Sequence, residues 1–131
     1  MTAPPASPRR RRLRTWAIVL GVLIVPFVVF SLYVGMMFAF SYSEGDRAGV
    51  LQKFSRKGWV CKSYEGELAM TTVPGVAPTI WAFSARDDAV ASRLSQAIGK
   101  KVVLHYAEHP GIPTSCFGET RYFVDSVTVQ P

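Results

Sequence analysis

Two cysteines, two histidines and the carboxylate pairs Glu65/Glu67 and Asp87/Asp88 are residues of this 131-residue chain whose types could do chemistry. Cys61 and Cys116 are either bridged or two unrelated thiols; in an oxidising compartment a bridge would close a loop of 55 residues and stabilise by about 3 to 4 kcal/mol. Simple alternation along a strand places Cys61 on the same outer face as Glu65 and Glu67, where the segment 108–120 can fold over it. A zinc site built from Cys61, Cys116, His105 and His109 has no Cys-x-x-Cys spacing to support it, and satisfied or solvent-facing histidines are the ordinary alternative. Glu65 and Glu67 stand side by side at i, i+2, as a glycosidase pair would, but the wet face of any strand does the same. Asp87 and Asp88 suit a helix N-terminus. No nucleophile with a base emerges, so neither catalytic residues nor a cofactor nor a metal is expected.

The elements that must position these groups follow from periodicity. Arg47–Ser55 reads as a first strand, Arg56-Lys57-Gly58 as a hairpin turn, Trp59–Met70 as a second strand and Thr79–Ala85 as a third, with a Pro74-Gly75 turn between the last two. From Asp87 to Ile98 the period changes: Val90, Leu94, Ala97 and Ile98 form one apolar stripe at helical spacing, with Ser84 and Asp87 at capping-box spacing and Gly99 as the stop. Lys100–Ala107 and Arg121–Val129 supply two more strands, the last with a bulge near Asp125. The order β-β-β-α-β-β is that of a small OB-fold-like Greek-key barrel plugged by its one helix; the alternative is an open antiparallel sheet with the helix on one face. Pairing of the first strand with the fourth distinguishes them. Trp81 and Phe83, at i, i+2, belong to the core, whereas an OB ligand face would use the set Tyr64, Trp81, Phe83, Tyr106, Tyr122 and Phe123 for stacking.

Charge is segregated. Arg9, Arg10, Arg11, Arg12 and Arg14 are five of the fifteen basic residues, and all nine acids follow position 43, leaving the remainder at +1 and without a nucleic-acid footprint. Thr15–Tyr42 contains no charged residue; as a helix it would span roughly 42 Å at about 1.5 Å per residue, against about 30 Å of hydrocarbon. The expected organisation is a disordered basic cytoplasmic arm (1–14), a transmembrane helix (15–42) with Trp16 and Tyr42 at the interfaces and a kink at Pro26, and an outward β domain (43–131). A cleaved signal peptide ending at Ala39-Phe40-Ser41 is the competing reading; the run exceeds an ordinary secretory segment. Ser31, Gly35, Ala39 and Ser43 recur every four residues, a small-residue face on which two such helices could pair.

The blocks 43-SEGDRAGVLQKFSRKG-58, 62-KSYEGEL-68, 83-FS-84, 100-KKVVLHY-106 and 118-GETRYFV-124 resemble a group of short bacterial proteins built as one transmembrane helix plus a small β domain, whose molecular function is not established. Some of that group carry a 6-phosphogluconate dehydrogenase label. A nicotinamide enzyme needs a Gly-x-Gly-x-x-Gly turn in a βαβ unit, and this chain has no Gly-x-Gly. It departs from the group's pattern at Cys61 and at Cys116-Phe117, where an aromatic-basic pair is more usual.

The resulting expectation is a single-pass inner-membrane protein with its N-terminus cytoplasmic and its barrel periplasmic. It would be a non-enzymatic binding or assembly module of the cell envelope, acting on a protein or polymer near the bilayer; the alternative is an enzyme or a redox or ligand carrier using Cys61 and Cys116. The binding site is expected in the loop between the last two strands, at His109, Ile112, Phe117 and Arg121. Glu44, Asp46 and Arg47 would form a polar collar between bilayer and barrel.

Overall fold

A computed structural model describes residues 2–5, 7–70 and 74–131. The chain divides into two compact units, 1–36 and 37–131.

The first unit is helical. Helix α1 runs Pro8–Ala39, has a mean hydropathy of 2.7 over its most apolar window, and is long and apolar enough to cross a membrane. It starts earlier than expected and takes in the arginine run. Pro8 occupies the first helical position, where a missing N–H costs nothing, and Ser7 caps it through its carbonyl and hydroxyl to the Arg10 amide. Arginine is itself a good helix former. At the other end α1 stops at Ala39, and Ser43 is already the first residue of a strand, so the small-residue face comprises Ser31, Gly35 and Ala39 without Ser43.

The second unit contains β1 (Ser43–Lys57), β2 (Ser63–Met70), β3 (Thr79–Ala85), α2 (Asp88–Gln96), β4 (Lys101–Glu108) and β5 (Tyr122–Val129). The strands close in the order β1-β2-β3-β5-β4, an OB-fold-like barrel. Strand β1 makes closure feasible because it serves two neighbours. Its first half, Ser43–Val50, pairs with Glu108–Lys101 of β4, and its second half, Val50–Lys57, pairs with Ala69–Ser63 of β2. The register shift between Leu51 and Lys53 bends it from one partner to the other. A short parallel contact, Ser84 and Ala85 with Phe123 and Val124, joins β3 to β5. Between β4 and β5 the register steps from His105↔Ser126 to Tyr106↔Val124, so Asp125 is the bulged residue, as its phase change predicts.

The interior is filled by Leu51, Leu68, Trp81, Phe83, Val102, Leu104 and Val124 from the strands, and by Val90, Leu94 and Ala97 from the region of α2. Ile98 lies beyond the helix and is exposed, so the plug consists of Val90, Leu94 and Ala97. The cap of α2 is Asp87, whose carboxylate accepts from the Ala89 amide at 2.7 Å, and Ser84 is engaged elsewhere. Arg47 also differs from expectation: it faces inward while Glu44 and Asp46 face solvent. Its guanidinium lies 4.8, 5.4 and 5.7 Å from the ring centroids of Trp81, Tyr106 and Tyr122, so cation–π contacts hold it in place of a carboxylate.

Candidate functional site

The strand boundaries place Cys61 differently from simple alternation. Strand β1 continues to Lys57 and β2 starts only at Ser63, so Gly58–Lys62 is a turn and Cys61 lies in it. Gly58 has φ of +135°, and a side chain there would collide with the Cys61 carbonyl, which makes the turn tight. Trp59 and Val60 at its tip are each 101% exposed. Cys61 is bridged to Cys116, with Cα atoms 5.3 Å apart. Cys116 is itself exposed, so solvent reaches the bridge.

The bridge is one of four fasteners on the segment between β4 and β5. The second is Glu65, expected from alternation on the wet face. It is only 6% exposed because the segment folds over it. One carboxylate oxygen accepts from Ser63 Oγ at 2.7 Å and from the Glu119 amide at 2.8 Å, and the other accepts from Ser84 Oγ at 2.7 Å. Ser84 Oγ also lies 2.8 Å from Thr120 Oγ1 and accepts from the Thr120 amide at 3.2 Å. A buried carboxylate with three donors is satisfied without a cation. Glu67 is half-buried and shares none of these bonds, so the two acids do not form a pair.

The third fastener is aromatic. The Phe117 ring lies 5.6 Å from that of Phe38, which also meets His109 at 5.2 Å and Phe123 at 5.3 Å. Phe38 is in the last turn of α1 and belongs to the barrel's unit. His109 is buried, its Nδ1 2.9 Å from the Met37 carbonyl and 3.1 Å from that of Phe40. The fourth is the ion pair of Arg121 with Glu108 at 3.3 Å. Of the residues expected to bind a ligand, His109, Ile112 and Arg121 line one groove of about 270 Å³ together with Pro113, Ser115 and Glu119, while Phe117 packs on Phe38; His109, Phe117 and Arg121 also help to hold the loop.

A second cleft of about 230 Å³ lies on the other side of the bridge, lined by Arg56, Lys62, Tyr64, Arg86, Asp88 and Phe117 among others. The Asp88 carboxylate accepts from Tyr64 Oη at 2.8 Å, a bond that raises the Tyr64 pKa. Arg56 stacks on Tyr64 at 5.7 Å, and Arg86 lies 3.5 Å from the Phe38 centroid, where burial lowers its pKa. Arg56, Lys62 and Arg86 have no carboxylate partner among the described residues. The cleft is cationic in consequence.

The four side chains whose types suit zinc are separated in their roles: the cysteines are bridged, His105 Nδ1 meets Asp125 at 2.6 Å, and His109 meets main-chain carbonyls. Among the described residues no cluster of three or more His, Cys, Asp or Glu could hold a metal ion. Sequence reasoning places Glu65 on the wet face and misses the Trp59–Val60 tip and Phe38. The available signal was Gly58, whose turn ends the first strand and leaves Trp59 and Val60 outside the ladder.

No curated protein and no solved structure matches the chain. A family described as a domain of unknown function (DUF8785) matches residues 40–130, the whole barrel from just after α1, and the chain belongs to that family.

Proposed function

We propose that the chain is a membrane-anchored binding module of the cell envelope. In this reading α1 crosses the inner membrane with its N-terminus in the cytoplasm, and the barrel stands in the periplasm. The observation that carries the reading is the fastening of the segment between β4 and β5. A groove held by a disulfide, a buried carboxylate, an aromatic cluster and an ion pair is pre-organised, and little ordering entropy is lost when a partner occupies it. Bridging suits an oxidising compartment, and the arginines at the start of α1 suit a cytoplasmic end. The partner is an envelope protein or polymer taken up along Ile112, Pro113 and Ser115. Photo-crosslinking residues placed at Thr114 and Ser115 in living cells test this. A discrete adduct that disappears with Ile112→Glu supports the reading, and an absence of adducts at both positions rejects it.

The Ser31, Gly35 and Ala39 face supports pairing of two anchors. A reporter of transmembrane association that is unchanged by Gly35→Ile rejects pairing.

Exposure of Cys116 favours a second reading, a carrier that uses the bridge as a redox couple. A reduction potential below roughly −300 mV would mark a structural bridge, and a value well above it a working one.

A further inference from the structure

The turn Gly58–Lys62 lies outside the partner groove, and its composition is unlike that of an idle loop. Trp59 and Val60 are fully exposed at its tip, and none of the described residues covers them. A tight turn closed by Gly58 and tied by Cys61 to Cys116 holds them out, so the exposure is built in. The tip is bordered by cations. Arg56 and Lys62 lie on either side of it in the chain, Arg86 faces the adjoining cleft, and none has a carboxylate partner among the described residues. Lys57 is the exception, 3.9 Å from Glu119. An apolar tip with an indole, flanked in the chain by two cations without a carboxylate partner among the described residues, has the chemistry of a headgroup-level anchor: the ring and Val60 enter the acyl boundary while the cations meet phosphates.

The same turn is joined to the end of α1. Cys61 is bonded to Cys116, the adjacent Phe117 ring packs on Phe38, and Phe38 is one residue from the last residue of α1, all within one compact unit. The chain that carries the tip also carries its own membrane-crossing candidate.

We propose that the Trp59–Val60 turn docks on an anionic phospholipid surface, with Arg56, Lys62 and Arg86 taking the headgroup phosphates. The proposal rests on the membrane-anchored reading above and goes beyond it, because it sets the barrel's contact with lipid apart from its groove for a partner. Each unpaired cation near an anionic surface strengthens attachment about fivefold.

The test uses the full chain in nanodiscs of phosphatidylcholine, with and without phosphatidylglycerol, whose acyl chains carry bromine as a contact quencher. Trp59 emission is isolated as the difference between Trp16→Phe and Trp16→Phe/Trp59→Ala, and Trp16 emission as the difference between Trp59→Ala and the same double variant. The expected result is a blue-shifted Trp59 component that loses at least half its intensity to bromine in phosphatidylglycerol discs and recovers with Arg56→Glu/Lys62→Glu. A quenched Trp16 with an unquenched Trp59 overturns this proposal and leaves the anchor standing. Quenching of neither overturns both. Quenching of Trp59 that is indifferent to phosphatidylglycerol and to charge reversal overturns the anionic recognition.

Discussion

Glu65 gives the sharpest test of how the groove is held. Its carboxylate takes three hydrogen bonds, from Ser63 Oγ, Ser84 Oγ and the Glu119 amide, while almost wholly removed from solvent. Truncation to Ala leaves Ser84 with Thr120 Oγ1 as a partner but strands the Ser63 hydroxyl and the Glu119 amide. At about 1–3 kcal/mol for each stranded donor, plus the lost charge-assisted bonds, Glu65→Ala should cost roughly 3–5 kcal/mol. Glu65→Gln is the informative control. Its carbonyl can keep Ser63 and Glu119, and its amide can donate to Ser84 Oγ, which then donates to Thr120. Only charge assistance is lost, at roughly 1–2 kcal/mol. Urea unfolding of the full chain in detergent micelles measures both variants, and hydrogen exchange at the Glu119 amide reads the site directly, with protection falling about a hundredfold in the Ala variant. If Glu65→Ala lies within about 1 kcal/mol of the parent and the Glu119 amide exchanges as before, the buried carboxylate does not hold the segment.

Three further outcomes follow from the same contacts. Removing the bridge with Cys61→Ser/Cys116→Ser releases a loop of 55 residues, which costs about 4 kcal/mol in the chain-entropy treatment and lowers the melting temperature by roughly 15–30 °C for a domain of this size; calorimetry checks it. Gly66→Ala drives a methyl group into the ring of the fully buried Phe83, and the overpacking should cost about 1–3 kcal/mol in the same urea assay. The hydrogen bond to Asp125 raises the His105 pKa above its ordinary value. The stability this pair contributes is therefore fully present below about pH 6.5 and is lost as pH rises through the raised value; an NMR titration should show His105 returning to the ordinary range in Asp125→Asn.

The barrel was legible in the sequence because its strands carry alternation, its helix carries a clean stripe, and β-β-β-α-β-β admits few closed topologies. The bulge at Asp125 was legible for the same reason: Tyr122 and Val124 fall in one phase and Val127 in the other. Boundaries were less so. Trp59 and Val60 are strong strand formers by type, yet Gly58 forces the chain out of the ladder before them, and a local backbone constraint overrode propensity. Glu65 was misplaced because alternation separates the two faces of a strand and does not report that a distant segment covers the outer one. Arg47 was misread for a related reason. Its neighbours Glu44 and Asp46 are exposed acids, and only the cross-barrel rings of Trp81, Tyr106 and Tyr122 explain how a guanidinium faces inward. The residues expected to bind a ligand lie in the expected loop, and His109, Ile112 and Arg121 line its groove, but the contacts that His109, Phe117 and Arg121 also make with Met37, Phe38 and Glu108 were not legible, because those partners are distant in sequence.

A membrane-anchored module requires the two ends of the chain to lie on opposite sides of the bilayer. Protease treatment of intact spheroplasts expressing the chain with different epitope tags at its two ends measures this in one blot. Loss of the C-terminal tag with a membrane-retained, protected N-terminal tag is the predicted result. A protected C-terminal tag, or release of both tags into the soluble fraction, would contradict it.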